Sequence, residues 1–256
     1  MLRKVLRFGV RIILINTLSL PLQATEITLI AVASNFRLPA KALVREYSTR
    51  TGHEVRISSG STGKLYAQII NGAPYAIFLA ANSREPARLE QEGKVVSGSR
   101  FTYALGKLVL WSSDAGLLVN DPQKLLQEGR FKSLALANPQ TAPYGEAGMQ
   151  VLDILNPGGA GHYQIIRAEN VSQAFQYAAT GATRMGFIAY SQLLTSREPD
   201  KGSHWLVPQH LYSPILQQAV LLKTAADNTV AKDFLQFIQS TEGQHMITTF
   251  GYGVDK

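Results

Sequence analysis

Four short stretches of the chain place small polar residues and bare backbone where a strand gives way to a helix. The first is Ser34-Asn35 after LIAVA, and the second is Gly60-Ser61-Thr62-Gly63 after VRISS. The third is PQTAPYG after LALAN, and the fourth is Glu169-Asn170 after QIIRA, with a helix starting near Val171. A helix start carries free N–H donors and the positive end of a dipole, so each stretch suits an anion. Taken singly, each also fits ordinary helix capping, for which Ser, Asn and Thr need no ligand. Together they fit a cleft in which helix starts gather at the carboxyl ends of parallel strands. The donors are hydroxyls, a carboxamide and N–H groups rather than arginines. A fully ionised tetrahedral oxyanion offers only acceptors and is satisfied by donors alone; a protonated phosphate also requires an acceptor.

The second stretch runs on into Lys64 and reads GSTGK, close to a phosphate loop. A nucleotide loop needs Gly, four residues, Gly-Lys and then Ser or Thr, so that backbone N–H groups wrap the phosphates and the hydroxyl holds magnesium. Ser58 stands where the first Gly belongs and Leu65 where the hydroxyl belongs. A nucleotide-binding module is therefore a minor alternative, and Lys64, one residue into its helix, is expected to point to solvent. A secreted hydrolase is another alternative from a different class. It lacks a Gly-x-Ser-x-Gly elbow, and His53, His162, His204, His210 and His245 show neither metal nor triad spacing.

The elements that must hold these turns alternate. EITLIAVA reads as a strand, and FRLPAKALVREYSTRTG as a helix, with Phe36, Ala40, Leu43, Val44 and Tyr47 on one stripe and Gly52 as its stop. EVRISS, YAIFLAA, ALGKLVLWSS, KSLALAN, HYQIIRA, RMGFIAYS and SPILQQAVLLK read as further strands. TGKLYAQIINGAP, SREPARLEQEGK, DPQKLLQEGRF, YGEAGMQVLDIL and VSQAFQYAATG read as helices, the second of them exposed, and two more helices end the chain. Ser196 to His204 reads as a polar surface loop. Alternation of this kind predicts an α/β fold with mainly parallel sheet and helices on its faces.

The chain begins with a basic, acid-free stretch, MLRKVLRFGVR, followed by the apolar run IILINTLSLPLQA. That order predicts a secretory signal peptide over residues 1–24, with cleavage after Ala24. Its loss removes Arg3, Lys4, Arg7 and Arg11 and no acid, so the net charge of +7 falls by four to +3. The remaining charge forms no basic stripe, so nucleic acid is not an expected partner. The sequence holds no cysteine, which excludes disulfides, thiolate metal sites and a lipid anchor on an N-terminal Cys. The expectation is a soluble, exported, monomeric protein in the periplasm.

At these turns the sequence resembles the solute-binding proteins of molybdate ABC importers. The resemblance runs over nearly the whole mature chain through AVASNF, SSGSTGKLYAQIINGAPYAIFLAAN, YALGKLVLWS, NPQTAPYG, ENVSQAFQYAATGATRMGFIAYSQ and FLQFIQSTEGQHMITTFGYG, in that order. It implies a two-lobed periplasmic-binding-protein fold with two interlobe crossings. Residues 25–105 and 213–256 would form the first lobe and 106–212 the second. It implies no catalysis and no cofactor. Molybdate or tungstate would be the ligand, molybdenum entering only as the oxyanion, and the permease subunits of an importer would be the partner.

Carried over residue by residue, the resemblance makes Ser34 and Asn35 first-turn contacts and Ser61 a hydroxyl and N–H donor. Tyr144 and Val171 would contribute backbone N–H groups, since a Val side chain cannot bind an oxyanion. The chain departs from the pattern at three places. Ala189 stands where some members carry a donor Tyr, and neighbouring Tyr190 is expected to face away by strand alternation. Ala76 stands in place of a usual Asp, and Asn82 where a closing Asp would be. A receptor for sulfate is the nearest alternative, and a cavity fitted to a larger ion would leave sulfate's bonds too long.

Overall fold

The computed structural model describes residues 27–159, 162–196 and 202–254, so the expected signal peptide lies outside the described residues. β1 (Thr28–Ala33), β2 (Val55–Gly60), β3 (Ile77–Leu79), β4 (Phe101–Gly106) and β10 (Ile215–Leu221) form one sheet, in the order β2-β1-β3-β10-β4. β5 (Leu108–Ser112), β6 (Ser133–Ala137), β7 (Gln164–Ala168), β8 (Met185–Ala189) and β9 (Ser203–Leu206) form the other, in the order β7-β6-β8-β5-β9. Both sheets are mixed. Parallel pairing joins β2, β1 and β3 in the first and β7, β6 and β8 in the second, and the remaining pairs are antiparallel.

Helices cover both faces of each sheet, which is why the strands read as nearly continuous apolar runs. On β1, Ile30 and Val32 join the core shared with α1 (Arg37–Thr51), α8 (Thr229–Gln239) and α9 (Thr241–Thr249), through Leu43, Phe234 and Ile247. Ala31, one step along, turns to the opposite core with Leu65 and Ile69 of α2 (Thr62–Ile70) and Leu89 of α3 (Arg84–Gln91). The second sheet repeats the arrangement. Leu134 and Leu136 face Val151 and Leu152 of α5 (Pro143–Leu155), together with Leu126 of α4 (Pro122–Glu128). Ala135 meets Ala174 of α6 (Val171–Ala179) on the other side.

The chain passes from the first sheet to the second at Lys107, between β4 and β5, and returns just before β10. Backbone and side chains crowd together at the first crossing. A Cβ on Gly106 would lie 2.4 Å from Tyr144 Oη and 3.0 Å from Gln217 Nε2, so glycine is what lets strand and phenol share that space.

Three expectations change. The polar loop at 196–204 ends early, because Ser203 and His204 open β9 and pair with Ser112 and Trp111 of β5. Residues 197–201 of that loop lie outside the described residues. β9 is a four-residue edge strand with little apolar alternation, and Ser203 holds it by donating to Asp114 O at 2.6 Å. The strand in RMGFIAYS stops at Ala189, and Tyr190 begins a short helix, α7 (Tyr190–Leu194). The helix SREPARLEQEGK is amphipathic rather than simply exposed, burying Glu85, Pro86 and Leu89.

Candidate functional site

Adjacent parallel strands end side by side, and their last residues pair: Ala33 with Gly60 in the first sheet, Ala137 with Ala168 in the second. The turns that follow β1 and β2 are therefore neighbours, as are those that follow β6 and β7. One small cavity lies between the two pairs. Ser34, Asn35 and Ser61 line it from the first lobe, and Tyr144 and Val171 from the second. All five residues singled out in the sequence thus border one space.

Each of these turns is left with unused donors for a local reason. Ser61 is the N-cap residue of α2, yet its side chain caps nothing, and its buried Oγ has no hydrogen-bond partner. At α5 the first helical residue is Pro143, which has no N–H, and Ala142 before it has no capping side chain. The N–H of Tyr144 is therefore the first donor of that helix, with no acceptor supplied by helix geometry. At α6, Asn170 Oδ1 accepts from Ser172 N at 3.0 Å and Gln173 N at 3.2 Å. Its cap passes over Val171, whose N–H remains directed from the helix start.

Asn35 behaves differently from the expectation of a side-chain contact. Its Nδ2 donates to Gln217 Oε1 at 2.8 Å and to Tyr252 Oη at 3.0 Å, so both amide hydrogens are in use. The remaining Oδ1 is an acceptor and offers nothing to an anion. The Asn35 side chain therefore has no donor left to offer the cavity.

Sequence reasoning missed two groups. Thr62 also lines the cavity and accepts from Ala81 N at 3.0 Å, tying the β2 turn to the β3 turn. Beneath the cavity lies a buried polar network that joins the lobes. Tyr103 Oη donates to Gln217 Oε1 at 3.1 Å, Gln217 Nε2 donates to Tyr144 Oη at 3.3 Å, and Ser191 Oγ bonds Tyr252 Oη at 2.8 Å. Burial pushes the phenols of Tyr103 and Tyr144 well above their usual range and that of Tyr252 up to about 12, so all three stay neutral. The signal for Gln217 was present in ILQQAVL, where it shares the buried face of the strand with Ile215 and Ala219.

No Arg or Lys lines the cavity. Lys64 is exposed, as expected, and also pairs with Glu169 of the opposite lobe at 2.7 Å, both side chains about half exposed. Arg84 reaches Glu146 across the same cleft at 3.3 Å. The lobes also touch more closely: Gly63 N donates to Thr141 O at 2.8 Å, and Ser172 Oγ donates to Ser34 O at 3.1 Å. Direct contacts between the lobes thus lie beside the cavity.

None of the departures noted in the sequence lines the cavity. Ala189 is fully buried in the second lobe's core, and Tyr190 sits against Lys107, its ring 5.9 Å from the ammonium. Ala76 precedes β3, at the end of that strand remote from the cavity. Asn82, with a buried and unpartnered Oδ1, borders a groove beside Arg84 and Glu146. Among the described residues there is no cluster of three or more His, Asp or Glu placed to hold a metal ion. No described helix is long and apolar enough to cross a membrane.

Residues 28–253 match the family described as bacterial extracellular solute-binding protein. The molybdate-binding protein ModA of Azotobacter vinelandii is 44% identical over 232 residues, covering 91% of each chain. The molybdate-binding protein ModA of Rhodobacter capsulatus is 41% identical over 239 residues, covering 93% of this chain and 92% of that protein. Among solved structures, the periplasmic molybdate-binding protein of Azotobacter vinelandii superposes with a TM-score of 0.82 at 40% identity. The match covers 90% of this chain and 100% of that one.

Proposed function

The chain belongs to the bacterial extracellular solute-binding proteins, alongside the molybdate-binding proteins it matches at 41% and 44% identity. From that premise we propose that it captures molybdate between its lobes, outside the cytoplasm, and delivers it to the membrane subunits of an ABC importer. The observation that carries the reading is the Ser61 hydroxyl, buried at the cavity and without a partner. A buried hydroxyl left unbonded costs about 1–3 kcal/mol, and a bound oxyanion would remove that penalty. The N–H groups of Asn35, Tyr144 and Val171 supply further donors around the same space, and Ser34 lends its hydroxyl.

The charge balance supports a dianion held by neutral groups. Positive helix ends converge without any Lys or Arg at the cavity, so the ligand is retained by donors and dipoles that need not be stripped of a counter-charge on release. No carboxylate borders the cavity to accept a proton, which disfavours a protonated phosphate. A nucleotide does not fit: the space is small, and Lys64 is engaged with Glu169. The role involves no chemical step, no cofactor and no second copy of the chain, and tungstate is expected to share the site because its size is close to that of molybdate.

Calorimetric titration of the mature protein with molybdate, tungstate, sulfate and phosphate tests the reading. Tight binding of the first two and weak binding of the others is the expected result. Sulfate held as tightly as molybdate would instead assign the protein as a sulfate receptor.

A further inference from the structure

The GSTGK stretch contains one residue whose role the anion site does not explain. Gly63, two residues after Ser61, donates its N–H to Thr141 O at 2.8 Å, and Thr141 stands three residues before Tyr144. The contact therefore links the two turns whose donors flank the cavity from opposite lobes. The space for a side chain is filled by the other lobe. A Cβ on Gly63 would lie 3.0 Å from Thr141 Cα, 3.2 Å from its Cβ and 3.2 Å from its carbonyl oxygen. All three nearest atoms belong to Thr141, so nothing within the first lobe itself calls for glycine as closely.

The other contacts across the cleft differ in kind. Lys64–Glu169 and Arg84–Glu146 join long, half-exposed side chains that adjust by rotation. Ser172 Oγ on Ser34 O turns about a single torsion. Backbone against backbone cannot yield in this way, since each side is fixed in its own lobe by a helix start and a strand end.

We infer that the Gly63–Thr141 backbone contact is the stop that sets how far the lobes close, and with it the spacing between Ser61 and the Tyr144 turn. The inference rests on the anion-binding role proposed above and adds that the cavity's size is set by protein meeting protein rather than by the ligand. A smaller tetrahedral anion cannot draw the donors inward past that contact. Its bonds stay long, and long hydrogen bonds are weak. Gly63 is thus a positioning residue that never touches the ligand.

The test is Gly63→Ala, read by two measurements that a purely structural role would move together. Alanine is a better helix former than glycine, and the open lobe has room for its methyl group. The melting temperature of the ligand-free variant should therefore equal or exceed that of the wild type. Molybdate affinity, measured by calorimetry, should fall at least fivefold, because the methyl group holds the lobes apart. A smaller loss of affinity would overturn the inference, as would a lower melting temperature accompanying the loss. Wild-type protein that binds no molybdate would overturn the anion-binding role itself.

Discussion

Asn35 Nδ2 donates to Gln217 Oε1 at 2.8 Å, joining the turn after the first strand to a strand that enters the sheet nearly two hundred residues later. Gln217 is fully buried and also receives Tyr103 Oη at 3.1 Å, while its Nε2 reaches Tyr144 of the other lobe. One side chain therefore ties both lobes together beneath the cavity. Gln217→Leu would strand one amide hydrogen of Asn35, whose other hydrogen keeps Tyr252 Oη, while Tyr103 Oη would keep Ala80 O at 3.1 Å. At about 1–3 kcal/mol for one stranded group, a loss of roughly 1–3 kcal/mol of stability is expected. Urea unfolding of the two proteins measures it, and a loss under 1 kcal/mol would show that the network relaxes onto other partners.

Ser61→Ala should separate binding from stability. The hydroxyl has no partner in the protein, so its removal takes no internal hydrogen bond from the fold. Toward a charged ligand it would supply one bond, worth about 1.5–3 kcal/mol. Titration should show a corresponding loss of molybdate affinity, while the melting temperature of the ligand-free protein should equal or exceed that of the wild type, the stranded hydroxyl being gone. Unchanged affinity would place the ligand at other donors.

The four turns and the strands that carry them were legible because each depends on local rules: apolar runs, capping residues and the Pro143 and Asn170 punctuation of two helix starts. What remained hidden depends on partners distant in sequence. Gln217 announces itself only as a polar residue on a buried strand face, and nothing local says that it meets Asn35. The commitment of the Asn35 amide follows from that meeting, so it could not be read from SNF alone. The pairing of the exposed Lys64 was hidden for the same reason, because Glu169 lies in the other lobe. β9 escaped notice because a four-residue edge strand carries too little pattern to register.

Lys64→Ala tests the phosphate-loop resemblance directly. In a nucleotide site the lysine touches the phosphates, and its loss would abolish binding. Here it forms a half-exposed pair with Glu169, a kind of contact worth at most about 1 kcal/mol. Removing either partner should change molybdate affinity less than about fivefold, and added salt should shrink even that difference. A loss comparable to that of Ser61→Ala would put the ammonium at the ligand.

The tyrosines under the cavity predict how the protein responds to alkali. Burial raises Tyr103 and Tyr144 well above the usual 10.0 and takes Tyr252 to about 12. Below about pH 10 the folded and unfolded chains both keep these protons, and the contribution to stability is full. Above it the unfolded chain releases its protons first, so stability falls as pH rises and is lost through the folded value, about 12 for Tyr252. Urea unfolding should therefore show no slope from these groups between about pH 7 and pH 9 and a steep decline beyond about pH 10. Molybdate affinity should stay level across the lower window as well. The Tyr144 phenol points to Gln217, and the remaining cavity residues among the five, Ser34, Asn35, Ser61 and Val171, do not titrate there. A tenfold change in affinity between about pH 7 and pH 9 would require a titrating group at the ligand, and the neutral-donor account of the site would fall with it.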